Sequence, residues 1–181
     1  MNEEQNPWQI VSSKEVYSNP WINVTEYDVI NPAGNKGIYG KVHYKNIAIG
    51  ILPLDEDDNT YLVGQYRFTL NEYSWEIPEG GCPEGTLPLD SAKRELLEET
   101  GLVAAEWTEM MQLHLSNSVS DEVAYIFTAR KLVQQTPEPE ETEQLIIKKI
   151  PFEEAYQMVE KGVITDAMSV AAILKIKLMR A

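Results

Sequence analysis

Residues 87–100 constrain the fold more than any other stretch of the chain. Their punctuation is that of a single helix. Thr86 is suited to cap the N-terminus, Pro88 is tolerated in the first turn, and Gly101 suits the left-handed residue that stops a helix. Leu89, Ala92 and Leu96 recur at helical spacing and form one apolar stripe for a core. Glu95, Glu98 and Glu99 stand three and four residues apart, so all three carboxylates can approach one point. Like charges at these spacings destabilise a helix by about 0.2–0.5 kcal/mol per pair. Lys93 and Arg94 could offset this on a solvated surface. A divalent cation could offset it too, because Mg²⁺ takes hard oxygen ligands from a few carboxylates together with substrate phosphates. The helix alone does not choose between them.

The elements around it read as strands. Gln9–Tyr17, Ile22–Ile30 and Ile38–Tyr44 are rich in β-branched and aromatic residues that partly alternate, with a hairpin turn at residues 31–35. Ile47–Leu54 is a nearly continuous apolar run, expected of a strand buried on both faces. Strands follow over Tyr61–Tyr66, Trp107–Leu115 and Val123–Leu132, and a strand end at Ile77 enters a glycine turn at Gly80–Gly81. Thr136–Gln144 reads as a loop, with Leu145–Ile147 strand-like after it, and Phe152–Glu160 and Asp166–Met179 read as two closing helices. Strands with interspersed helices in one compact chain imply an α+β sheet covered by helices.

Composition removes several functions. The chain has 181 residues and a net charge of −14, so no general basic surface exists to bind nucleic acid. No apolar run is long enough to cross a bilayer, and the N-terminal MNEEQNPWQ is too acidic and polar for a signal peptide. Cys82 is the one cysteine, so no intrachain disulfide forms, which suits a cytoplasmic protein. Cys82 has no nearby histidine in sequence and is not read as a nucleophile, and His43 and His114 read as structural.

The stretch from Gly80 to Leu102, GGCPEGTLPLDSAKRELLEETGL, resembles the Nudix box. Gly80, Arg94, Glu95, Leu96, Glu98, Glu99, Gly101 and Leu102 match that pattern in type and spacing. Thr86 departs from it, standing where the pattern has its first Glu, with Glu84 nearby. The resemblance implies the Nudix fold, an α/β/α sandwich with a mixed central sheet. It also implies Mg²⁺, or Mn²⁺ in its place, held by Glu95, Glu98, Glu99 and the backbone carbonyl of Glu79, with Arg94 orienting the glutamates. Bridging cations would let so acidic a protein hold a polyanion.

Val63–Arg67 and Trp75–Gly81 extend the resemblance to the ADP-ribose and nucleotide-sugar pyrophosphatase branch. That branch implies an N-terminal antiparallel sheet over residues 1–45 that forms a homodimer and helps bind the base, followed by a hydrolase domain over residues 46–181. The substrate would be a nucleotide sugar such as ADP-ribose or GDP-mannose. Arg67, Glu76, Gly80 and Gly81 would line its site, Trp21 and Tyr39 would stack on the base, and Glu143, Glu141 or Glu140 would be the general base. Ser120–Glu122 is either a substrate-facing loop or a plain turn. The other readings are hydrolysis of another nucleotide, which the N-terminal sheet and the late acidic loop disfavour, and an inactive sensor of nucleotide sugars, which Thr86 allows but Glu95, Glu98 and Glu99 argue against.

Overall fold

The structure, a computed structural model, describes residues 5–136 and 144–180. The chain divides into two compact units. One comprises the residues up to Asn46 together with His114–Glu122. Its sheet holds β1 (Gln9–Ser18), β2 (Ile22–Ile30) and β3 (Lys36–Tyr44), antiparallel and in that order. The β2–β3 turn is closed by Asn31, whose Oδ1 accepts from the N–H groups of Ala33 and Asn35, both at 3.0 Å. The added segment is tied to β3: the N–H of Val42 donates to the Val119 carbonyl (2.8 Å) and that of Asp121 to the Val42 carbonyl (3.2 Å). Val29 is buried, whereas Ile10, Val11 and Ile38 are each about two-thirds exposed.

The second unit holds the main core. Its strands are β4 (Asn46–Pro53, entering from the first unit), β5 (Asn59–Arg67), β6 (Glu72–Glu76), β7 (Glu79–Pro83), β8 (Leu102–His114), β9 (Val123–Gln134) and β10 (Ile146–Pro151). Its helices are α1 (Pro88–Thr100), α2 (Phe152–Glu160) and α3 (Ala167–Met179). One sheet runs β7-β4-β9-β8, with β4 and β9 parallel; the other runs β10-β5-β6, antiparallel. The period of two along β4 explains its unbroken apolar run. Ile49 and Ile51 pack with Ala92 and Leu96 of α1, while Gly50 between them faces Met168 of α3. Helices therefore cover both faces of the sheet, as an α/β/α layering requires. Among the described residues no helix is long and apolar enough to cross a membrane.

Three details differ from the sequence reading. The cap residue of α1 is Leu87, extended (φ −74°, ψ 134°) and without a side-chain cap bond, rather than Thr86. Thr86 lies in the exposed turn before it, its N–H bonded to the Pro83 carbonyl (3.1 Å). Pro88 at the start of the helix has no N–H to satisfy, which lessens the need for a cap. Gly80 and Gly81 lie in strand β7, not in a turn; the turn comes later, where Gly85 has φ 82°. The strand that the sequence reading ends at Ile77 is β6, which runs from Glu72 and stops at Glu76. The C-terminal stop of α1 is as expected: Gly101 is left-handed (φ 70°) and its N–H reaches the Leu97 carbonyl at 2.8 Å.

Candidate active site

The site is built where α1 lies against the edge strand β7. Two repeats match there. Glu95 and Glu99 are one helical turn apart, a rise of about 6 Å. Alternate residues along a strand are about 6.6 Å apart. Outward-facing N–H groups of the edge strand can thus meet carboxylates on successive turns of the helix. The N–H of Glu79 donates to Glu99 Oε2 (3.0 Å), and that of Gly81 to Glu95 Oε1 (3.1 Å). Gly80 sits between them, and a side chain there is impossible without movement: a Cβ would lie 2.2 Å from Glu95 Cδ.

Arg94 binds the same cluster from the solvent side. Its Nη1 donates to Glu98 Oε2 (2.6 Å), and its Nη2 donates to Glu95 Oε1 (2.6 Å) and to the Gly81 carbonyl (2.8 Å). Burial pushes the Glu95 carboxyl above the ordinary range, with Arg94 opposing. Glu99 is only 3% exposed.

A second arginine closes the other end. Arg67, at the end of β5, donates from Nε to both oxygens of the buried Glu76 (2.9 and 3.1 Å) and from Nη2 to Glu76 Oε2 (2.5 Å). The same Nη2 donates to Glu79 Oε1. Arg67 is therefore no loose surface ion pair. Burial works against its charge, but Glu76, Glu79 and Asp166 hold its pKa above the usual arginine value. Burial raises the Glu79 carboxyl strongly, and Asp166, Glu76 and Glu99 add to that while Arg67 opposes it.

This donor set fits a hard divalent cation. Glu76 and Glu79 share the Arg67 guanidinium, and the charges of Asp166, Glu76 and Glu99 all help to raise the Glu79 carboxyl. Glu79 Oε2 is buried with no hydrogen-bond partner, an unsatisfied oxygen that a cation could serve. Among the described residues, no three acidic, histidine or cysteine side chains are already grouped around a point where an ion could sit. Glu95 and Glu98 are turned toward Arg94 instead.

Other expected residues stand elsewhere. Thr86 and Glu84 are exposed in the turn before α1, and Glu84 makes no ion pair among the described residues. Trp21 is 67% exposed, its N–H held by Asn19 Oδ1 (2.8 Å). Tyr39 packs edge-on against Trp8 (5.3 Å) and donates its hydroxyl to the Ser118 carbonyl (2.7 Å). The register pairs Ile22 with Tyr44 and Tyr27 with Tyr39. Trp21 and Tyr39 are then roughly 17 Å or more apart along the sheet, so one base cannot stack on both within a protomer.

The residues 118–121 are structural in their contacts. Asp121 accepts from Lys41 Nζ (3.0 Å) and the Tyr44 N–H (3.2 Å), and its Oδ2 lies 2.8 Å from His43 Nδ1. His43 is thereby accounted for. Cys82 is buried beneath α1, its thiol directed at the Thr86 carbonyl (3.4 Å). Glu140, Glu141 and Glu143 lie outside the described residues. The sequence reading missed Asp166 near the cluster and Ser169 behind it; an Asp-x-x-Ser capping pattern was visible, but its proximity to Glu79 was not.

Residues 44–171 match the NUDIX domain family, and residues 8–42 match the nucleoside diphosphate sugar hydrolase N-terminal domain. An ADP-ribose pyrophosphatase of Bacillus subtilis (strain 168) is 28% identical over 173 residues, covering 94% of this chain and 93% of that protein. One of Mycobacterium tuberculosis (strain ATCC 25618 / H37Rv) is 32% identical over 133 residues, covering 71% and 64%. A crystal structure of an ADP compounds hydrolase superposes with a TM-score of 0.85 at 22% identity, covering 95% of this chain and 93% of that one, which shows the fold. Members of the matched domain family generally need divalent metal ions. With the box residues gathered on α1 and β7 and the NUDIX domain matched over residues 44–171, the chain belongs to the Nudix family and is a pyrophosphatase-type hydrolase.

Proposed function

We propose that the protein hydrolyses the pyrophosphate bond of nucleoside diphosphate sugars, with ADP-ribose first and GDP-mannose as a further candidate. The products are a nucleoside monophosphate and a sugar phosphate. The observation that carries this is the pairing of Glu79 with Glu99 and of Gly81 with Glu95, flanked by Arg94 and Arg67. A relative matched over nearly the whole chain is named an ADP-ribose pyrophosphatase, which supports the choice of substrate.

Glu95, Glu98, Glu99 and the Glu79 carbonyl would hold Mg²⁺, or Mn²⁺ in its place. When bound, the cations neutralise the pyrophosphate and activate water. The protein's own groups do the rest. Arg94 keeps Glu95 and Glu98 on one side of the site. Arg67 engages Glu76 and Glu79 through Nε and Nη2, which leaves Nη1 to meet a phosphate oxygen. Glu76 fixes that guanidinium in place, and Gly80 and Gly81 line the substrate site beside Glu95. A carboxylate of Glu143, Glu141 or Glu140 takes the proton as the water oxygen attacks phosphorus. The bridging P–O bond breaks, and the second phosphate leaves with that oxygen.

Trp21 or Tyr39 stacks on the base, and the two cannot share one base within a protomer. The N-terminal sheet supplies the homodimer contact, since it leaves Ile10, Val11, Tyr17 and Ile38 exposed. Incubation with Mg²⁺ and a panel of ADP-ribose, GDP-mannose and nucleoside triphosphates tests the reading. Release of monophosphate and sugar phosphate from a nucleotide sugar supports it. Binding of the panel without turnover would mark the protein as a sensor, and preference for triphosphates would move it to another substrate class.

A further inference from the structure

Ile77 and Pro78 form the corner between β6 and β7, and hence between the two sheets of the second unit. Glu76 precedes this corner and Glu79 follows it. Pro78 has no N–H, so Ile77 supplies the corner's one backbone donor. That N–H donates to Ser169 Oγ at 2.9 Å, and both residues are fully buried. A serine inside a helix ordinarily bonds the carbonyl of its own preceding turn. Ser169 instead serves a segment 92 residues away in sequence. It is held for this by Asp166, the cap of α3, whose Oδ2 accepts from the Ser169 N–H (2.7 Å). Two further contacts pin the corner. The Pro78 carbonyl accepts from the Ile51 N–H (2.8 Å), and the Ile77 side chain lies close over Gly50.

We propose that Ser169 is a positioning residue for the cation site: through the Ile77 N–H it fixes the corner that aims the Glu79 carbonyl and holds the Glu79 N–H against Glu99. This rests on the reading of Glu79, Glu95 and Glu99 as cation ligands. Ser169 does not touch the substrate. It acts from the opposite side of the strand, as groups behind a metal ligand do when they set the ligand's aim. Loss of such a group typically weakens metal affinity by 10–100-fold.

The test is Mn²⁺ binding to the substrate-free protein, read by electron paramagnetic resonance or titration calorimetry. Ser169→Ala removes the acceptor, Ser169→Thr keeps a hydroxyl, and Ala172→Gly destabilises the same helix without touching the bond. Glu99→Gln tests the ligand reading itself. Ser169→Ala is expected to weaken Mn²⁺ binding by roughly 10–100-fold, with Ser169→Thr near wild type and Ala172→Gly little changed. Should Ser169→Thr not fold, the contrast of Ser169→Ala with Ala172→Gly decides alone. If Ser169→Ala binds like wild type while Glu99→Gln is impaired, the positioning role is wrong. Equal weakening in Ala172→Gly makes the effect one of general stability and overturns it as well. If Glu99→Gln binds like wild type, the ligand reading falls first and the inference falls with it.

Discussion

Gly80→Ala isolates the geometry of the site in one methyl group. The added Cβ would lie 2.2 Å from Glu95 Cδ and 2.3 and 2.4 Å from its oxygens. Ordinary contact begins near 3.4 Å, so the carboxylate must retreat by about 1.2 Å. The obstruction is the far end of a flexible side chain, so Glu95 can rotate while α1 and β7 stay in place. Rotation breaks the bonds from the Gly81 N–H and from Arg94. Losing these bonds at a mostly buried carboxylate costs about 1–3 kcal/mol. Activity should fall far more, because displacing a catalytic group by 1 Å can cost about 10²-fold. Thermal melts and nucleotide-sugar hydrolysis measure the two effects. The double variant Gly80→Ala/Glu95→Ala should recover part of the stability lost in Gly80→Ala, since the clash partner is gone. Wild-type activity and melting temperature in Gly80→Ala would refute the close packing of β7 on α1. Additive losses in the double variant would show that Glu95 is not what the methyl meets.

Two further outcomes test the rest of the chain. His43, Lys41 and the Tyr44 N–H outweigh burial and hold the Asp121 carboxyl below its ordinary value, so its contribution to stability is present above about pH 4 and lost as pH falls through the lowered pKa. Asp121→Asn should lower the melting temperature at pH 7, by an amount equivalent to no more than about 1 kcal/mol because the pair is partly exposed; the gap should close in acid, and a gap that persists at pH 2 would contradict the ionic account. Trp21→Ala should raise KM for a nucleotide sugar with little change in kcat, since base stacking contributes about 1–3 kcal/mol; an unchanged KM would remove Trp21 from the base site.

Local patterns carried most of what could be read without a structure. The stop at Gly101, the stripe Ala92–Leu96 and the run Ile47–Leu54 each depend on neighbours in sequence, and each took its expected form. The start of α1 did not. A threonine before a helix suggests a cap, but Pro88 one residue inside the cap position shifts the boundary and leaves Thr86 in the turn. The glycines were misplaced because Gly-Gly suggests a turn, whereas here the absent side chain lets a strand lie against the Glu95 carboxylate. The charges on α1 were legible as a cluster. Their pairing with alternate N–H groups of β7 was not, because it depends on how two distant repeats are aligned. Asp166 and Ser169 were hidden for the same reason: nothing near them in sequence shows that α3 begins behind Glu79.

The most direct measurement is ³¹P NMR of ADP-ribose hydrolysis with Mg²⁺, comparing wild type with Glu99→Gln. Glutamine keeps an oxygen acceptor for the Glu79 N–H and removes the charge. Wild type is expected to give AMP and ribose 5-phosphate. Glu99→Gln is expected to melt as wild type does and to lose activity by about 10²-fold or more. A Glu99→Gln protein that turns over at the wild-type rate, or a wild-type protein that leaves every nucleotide sugar intact, would contradict the account.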